Sequence, residues 1–187
     1  MKTKQLELER LKAKIVSDGI CSELAKTATN LVFGFGNIDA DVCFIGEAPG
    51  KKEDISGQPF VGASGKLLDE MLSTIGLTRD KVYITNIVKY RPPNNRDPLP
   101  EEKQEFMPIL DKQIAIIKPK LIVTLGRHSM NCFFPNLVIS NVHGKIQKLK
   151  DKMFLPLFHP AAALYNGSMK KTLLDDFGQI KTILNTI

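Results

Sequence analysis

Cysteine is scarce in this sequence. Its three residues among 187, Cys21, Cys43 and Cys132, are too few and too scattered to form a disulfide framework. That excludes the stapled secreted scaffolds and points to a reducing compartment, the cytoplasm or, in a eukaryotic source, the nucleus. Cys43 and Cys132 lie in apolar or helical contexts and are expected to be core thiols. Long apolar runs are missing too. No stretch reaches the roughly 18 consecutive apolar residues of a membrane-spanning helix. Met1 to Arg10 is charged and has no apolar h-region, so no secretory signal is expected. There is no internal repeat and no low-complexity tract. Acidic residues are outnumbered: net charge is +6 and the pI about 9.2. The last quarter, Asn141 to Ile187, holds seven Lys and three Asp, so +4 of that charge sits there. A basic balance suits a polyanionic partner. With 43% hydrophobic residues, one domain over 1–187 is expected, working as a monomer. A chain of this size buries roughly 70% of its unfolded surface.

The chain is organised around Gly46 to Gly62. It reads Gly46-Glu47-Ala48-Pro49-Gly50, a short charged insert, then Gly57-Gln58-Pro59-Phe60-Val61-Gly62. The apolar run Val42 to Ile45 before it predicts a buried strand, and Ser64 to Gly76 predicts a helix. The stretch is therefore a long loop leaving the C-terminal end of a strand, where open α/β sheets place their ligands. Four glycines and two prolines make its path specific. Glu47 and Phe60 stand out in it: a carboxylate and an aromatic face on one loop suit a pocket for a flat ligand.

Periodicity predicts a helix over Leu6 to Val16, starting near Thr3, and an edge strand at Leu31 to Phe33. Further strands are predicted at Lys81 to Ile87, Lys120 to Leu125 and Met153 to Phe158. The helix from Ser64 carries Leu67, Leu68, Met71, Leu72 and Ile75 on one face, with Ser64 as cap. Another opens at Glu101 and runs to Lys118, with Pro108 marking a kink or a late start. Asn141 to Gly144 reads as the turn of a hairpin. A last helix is capped by Asn166 or Ser168. Strands separated by helices give an α/β class, layered α/β/α with a mainly parallel sheet. Gly62 to Lys66 is not a nucleotide-triphosphate loop: Phe60 and Leu67 stand where a glycine and a Ser or Thr belong. Lys66 at that helix start is a candidate for one phosphate of a polyanionic partner.

Several stretches together resemble the family 4 uracil-DNA glycosylases of the uracil-DNA glycosylase superfamily. They are Gly46 to Gly62, Tyr83 to Lys89 with Arg91-Pro92-Pro93, Leu121 to Gly126, and His159-Pro160-Ala161. Lys26-Thr27 to Gly36-Asn37 is similar to the family's N-terminal segment. Order and spacing match over about residues 20–180. The resemblance implies a central four-stranded parallel sheet. It implies DNA base excision repair: hydrolysis of the N-glycosidic bond of deoxyuridine in DNA, releasing uracil and leaving an abasic site.

Site roles follow residue by residue. Asn86, taken alone, is either a strand-end Asx turn or a reader of a base edge with adjacent carbonyl and N–H groups. The resemblance places it at the uracil-reading position. Phe60, alone a core aromatic, becomes the face on which a flipped base stacks. His159, alone a core histidine, becomes the donor to O2 of the departing uracil, where charge develops. Gly46 and Ala48 line the substrate. Glu47 is open between positioning water or supporting the oxocarbenium-like sugar, and bracing its loop through backbone N–H groups. Lys89 and Arg91 are read as phosphate contacts; the run Lys145 to Lys152 is open between DNA contact and a solvated face. Leu164 or Tyr165 is a wedge candidate, set against a short core helix at Ala161 to Leu164. No metal is required, and the partner is uracil-containing DNA. Two other readings stay in view: a catalytically weak damage binder, and a glycosylase for another deaminated base.

One family feature is missing from the sequence. Family 4 enzymes typically hold a four-iron cluster through four cysteines. In register, those positions are Gly19, Ser22, Tyr90 and a site near Phe106. Cys21 is out of register, and one thiolate cannot hold such a cluster. The expectation is a protein without it, in which Tyr90 and Phe106 pack together with Leu24 or Ile20.

Overall fold

Apolar side chains alternate in β2 (Val42–Gly46). Val42 and Phe44 face one helical layer, Cys43 and Ile45 the other, and all four are buried. A strand buried on both faces needs helices on both faces. The computed structural model, which describes residues 2–186, supplies them. Strands β1 (Phe35–Gly36), β3 (Tyr83–Asn86), β4 (Leu121–Leu125), β5 (Gln147–Leu149) and β6 (Lys152–Leu157) join β2 in the order β1-β3-β2-β4-β6-β5. The middle four are parallel, and the two short edge strands run antiparallel. The sheet thus has six strands rather than four, because each edge of the parallel core is closed by a short antiparallel strand.

Helices α1 (Lys2–Ser17) and α5 (Pro100–Ile117) cover one face. Helices α4 (Ala63–Thr74), α8 (Pro160–Tyr165) and α9 (Gly167–Leu184) cover the other, with Phe44 stacked on Phe177 at 5.8 Å. Among the described residues the short helices α2 (Ser22–Thr27), α3 (Lys51–Ser56) and α6 (Arg127–Asn131) and the single turn α7 (Ile139–Val142) complete the α-helices, and two 3-10 turns lie at Arg79–Lys81 and Pro93–Asn95.

Several local expectations are corrected. The charged insert after Gly50 is helical: α3 carries Glu53 and Asp54 in its first turn and ends on Gly57 at φ 72°. The buried Asp54 accepts the amides of Thr29 (2.8 Å) and Asn30 (3.1 Å), which ties the N-terminal segment to it. The edge strand lies at Phe35–Gly36, after Leu31 to Phe33. Gly62, not Ser64, caps α4. Pro108 does not divide α5; it sits on the helix's exposed face. The hairpin forms by β5 and β6 around Lys150 (φ 55°), whereas Asn141 and Val142 lie in α7. Asn166 caps α9 through its side chain. Cys43 is buried as expected, while Cys132 is only half-buried.

Candidate active site

The ends of β2, β3 and β6 bring Gly46, Asn86 and His159 to one rim of the sheet. A cavity of about 210 Å³ there is lined by Ala48, Glu53, Phe60, Ser64, Asn86 and His159. A groove of about 710 Å³ is larger, but it lies along α1 and β1, away from the strand ends. The small cavity suits one flat heterocycle. Of the six substrate or catalytic residues expected from the sequence, Ala48, Phe60, Asn86 and His159 line it, Gly46 presses on two of these, and Glu47 stands outside. A Cβ on Gly46 would clash with both Asn86 Oδ1 and the Phe60 ring, so only glycine lets these two groups meet.

Asn86 is 2% exposed, and its Oδ1 has no hydrogen-bond partner among the described residues. A buried acceptor left bare costs about 1–3 kcal/mol unless something fills it. An N–H donor on a ligand would do so. The rings of Phe60 and His159 lie 5.7 Å apart at 28°. His159 Nδ1 accepts from Ala161 N at 3.1 Å, which puts the ring proton on Nε2. Burial pushes the His159 imidazole down to about 4, so it is neutral near pH 7. The site therefore presents a neutral N–H donor.

Phe60 holds φ at 54°, a left-handed conformation that costs about 1–2 kcal/mol for a residue with a Cβ. Sequence reasoning missed the groups that hold it there. Arg79 donates through Nη1 to Pro59 O (3.1 Å) and through Nη2 to Phe60 O, and pairs with Asp69. Gly65 leaves room for Phe60 O, which any Cβ would strike. Glu53 Oε1 accepts the amides of Val61 (2.9 Å) and Gly62 (2.7 Å). Loop bracing is therefore the work of Glu53, not Glu47. The only local signal for it is an acidic residue facing a glycine-rich return.

Glu47 sits beside that cavity, in a second one of about 440 Å³ that shares His159 and extends to Arg127, His128 and Ala161. Its Oε1 lies 3.4 Å from Lys103 Nζ and 3.5 Å from His128 Nδ1. Burial raises the Glu47 carboxyl above its usual range, and His128 and Lys103 oppose that rise. His128 Nε2 faces Asp97 at 3.5 Å and accepts from Arg127 Nε at 3.1 Å. Glu47, Asp97 and His128 thus bring three potential ligand atoms within 4.8 Å. Lys103 already faces Glu47 and Arg127 donates to His128, so the group reads as a charge network.

The expected DNA contacts divide. Lys66 is exposed, and Leu164 is 45% exposed on α8 next to the buried Ala163. The side chain of Tyr165, the other wedge candidate, lies outside the described residues. Arg91 is half-buried and donates to Asn95 at 2.7 Å. Lys89 is corrected. It is 0% exposed, and its ammonium donates to Thr85 Oγ1 (2.7 Å) and Asn86 O (2.6 Å), so it does not face a phosphate.

The corner where the family's iron–sulfur cluster would sit has no thiolate set. Tyr90 and Phe106 stand there, both buried, with rings 6.0 Å apart at 60°. Leu24 and Cys21 share their core cluster, with Ile20 packed against it. The Cys21 thiol donates to Glu102 O, and burial pushes it up to about 12. These residues do not fit a cluster.

Comparison with known proteins agrees with the geometry. Residues 33–178 match the model of the uracil DNA glycosylase superfamily. A type-4 uracil-DNA glycosylase of Sulfurisphaera tokodaii is 48% identical, over 96% of this chain and 86% of its own. Its namesake in Archaeoglobus fulgidus is 45% identical, over 92% and 91%. Another in Saccharolobus solfataricus is 47% identical, over 88% and 81%. With Asn86, Phe60 and His159 around one cavity and likeness of this extent, the chain belongs to the uracil DNA glycosylase superfamily, in the family of its type-4 members.

Proposed function

We propose that this protein excises uracil from DNA by hydrolysing the bond between N1 and the sugar C1′, releasing the base and leaving an abasic site. The observation that carries it is the cavity in which the bare Asn86 Oδ1, the Phe60 ring and the neutral His159 converge. A deoxyuridine flipped out of the stack lays its ring on Phe60. N3–H donates to Asn86 Oδ1, and the amide nitrogen donates to O4. As the C1′–N1 bond breaks, its electron pair moves to the base and charge gathers on O2. His159 Nε2–H meets that charge, so its stabilisation is greatest in the transition state. The sugar lies toward the neighbouring cavity, where Glu47 orients the water that adds to C1′ or supports the positive sugar. Lys66 and Arg91 hold phosphates, and Leu164 fills the gap left in the duplex. All these groups come from one chain, which acts as a monomer.

We further propose that no iron–sulfur cluster is held, because aromatic side chains fill the corner it would need. Purified protein should be colourless, and stoichiometric iron would overturn this. The activity is tested by incubating the protein with a uracil-containing oligonucleotide and cleaving at abasic sites. Strand cleavage at the uracil position is expected. Tight binding without cleavage, or release of a different deaminated base in preference to uracil, would overturn the reading.

A further inference from the structure

Lys89 is a fully buried lysine without a carboxylate partner among the described residues. Such a group is costly unless its donors are used. Its setting indicates what they are used for. The β1–β3 ladder stops at the pair Phe35 and Ile84. Asn86 lies two residues further on, where its carbonyl has passed the end of that ladder. The chain then turns back, and Lys89 Nζ reaches this carbonyl at 2.6 Å. Its other bond is to Thr85 Oγ1, which donates to Phe33 O at 2.8 Å. Gln113 donates to the same Phe33 O at 3.0 Å and to Tyr83 OH at 3.2 Å. The main-chain oxygen of Asn86 is thereby tied through a buried polar chain to α5 on the far side of the layer. On its other side, Ile87 N donates to Gly46 O at 3.0 Å. The backbone of Asn86 is thus fixed from both sides.

We propose that Lys89 is a positioning residue for base recognition: it clamps the Asn86 main chain so that the side-chain amide meets the uracil edge in one orientation. This rests on the reading that Asn86 reads the base. Burial holds the Lys89 ammonium down at about 7. Either protonation state keeps at least two N–H donors, so the clamp survives both.

The test separates positioning from stability and from phosphate contact. Lys89→Met keeps the bulk and removes the donors; Lys89→Gln is measured beside it in case the first does not fold. Binding of free uracil should weaken roughly ten-fold in either, the scale of one lost hydrogen bond. Affinity for undamaged DNA and its salt slope should stay as in the wild type. In an Asn86→Ala background, Lys89→Met should cost no further uracil affinity, because nothing remains to be positioned. Leu110→Ala, a cavity in the same core cluster but outside the pocket, should lower the melting temperature and leave uracil binding alone. An additive loss in the double variant, or a flatter salt slope, would overturn the proposal. In wild-type protein with nitrogen-labelled lysine, the Lys89 resonance should shift when uracil is added; no shift would also overturn it. If Asn86→Ala alone leaves uracil binding unchanged, base reading by Asn86 fails first, and the clamp falls with it.

Discussion

At His159 two facts combine: Nδ1 is engaged by Ala161 N, and burial keeps the ring neutral. On the proposed mechanism the donor is in place before charge appears on the base, so little would be reorganised as the bond breaks. His159→Ala should lower single-turnover excision by roughly 10²–10³-fold, with far less effect on DNA binding. An equal loss in both would mark a structural histidine. At Asn86 the buried Oδ1 and its amide nitrogen form an ordered acceptor and donor pair. Asn86→Asp places an acceptor where the nitrogen should donate to O4. Uracil excision should fall while cytosine becomes better tolerated. Full retention of uracil excision in that variant would show that Asn86 does not read the base.

The element that shapes the site is the return loop after α3. Phe60 is held in a left-handed conformation by Arg79 from beyond α4, and the loop amides by Glu53. Arg79→Ala should reduce excision of order 10-fold to 10²-fold through misplacement of the aromatic face, while undamaged DNA still binds. Unchanged excision would mean that the loop holds itself. The rim elements carry a second expectation. Lys66→Ala and Arg91→Ala should each flatten the salt dependence of DNA affinity by about one log–log unit per lost phosphate contact. An unchanged slope would place them off the DNA. Legibility follows distance along the chain. The four parallel strands, α1, α4 and the pairing of Tyr90 with Phe106 could be read because apolar runs, helical spacing and missing cysteines are visible locally or in register, whereas the edge strand and the hairpin turn lie a few residues from their expected places. The convergence of Asn86, Phe60 and His159 on one cavity could be read because each sits inside its own motif. Arg79 could not, since it reaches Phe60 only after α4 has folded back. Lys89 misled because a lysine before a proline-rich basic loop looks solvent-facing; its burial follows from a carbonyl beyond the end of β1 that needs a donor. The helix α3 was hidden by its six-residue length, too short for a period to show.

For the molecule as a whole, two buried bases tilt stability with pH in the same direction over different windows. The His159 imidazole is held down from 6.5 to about 4, so the unfolded chain binds more protons between those values. Its contribution is complete above 6.5 and is lost as pH falls toward 4. Lys89 is held down from 10.5 to about 7, so stability should rise with pH across that second window. Denaturant melts across pH should show both slopes in the wild type. The acid one should vanish in His159→Ala and the alkaline one in Lys89→Met; slopes that survive would assign them to other groups. The aromatic corner of Tyr90 and Phe106 has a chemical consequence beyond packing. The thiols of Cys21 and Cys43 are both buried and pushed up to about 12, and burial raises Cys132 as well. Thiolate is the form that peroxide attacks. Without a cluster, as proposed, the protein would have no iron to lose, and among the described residues it offers an oxidant no ready thiolate to attack.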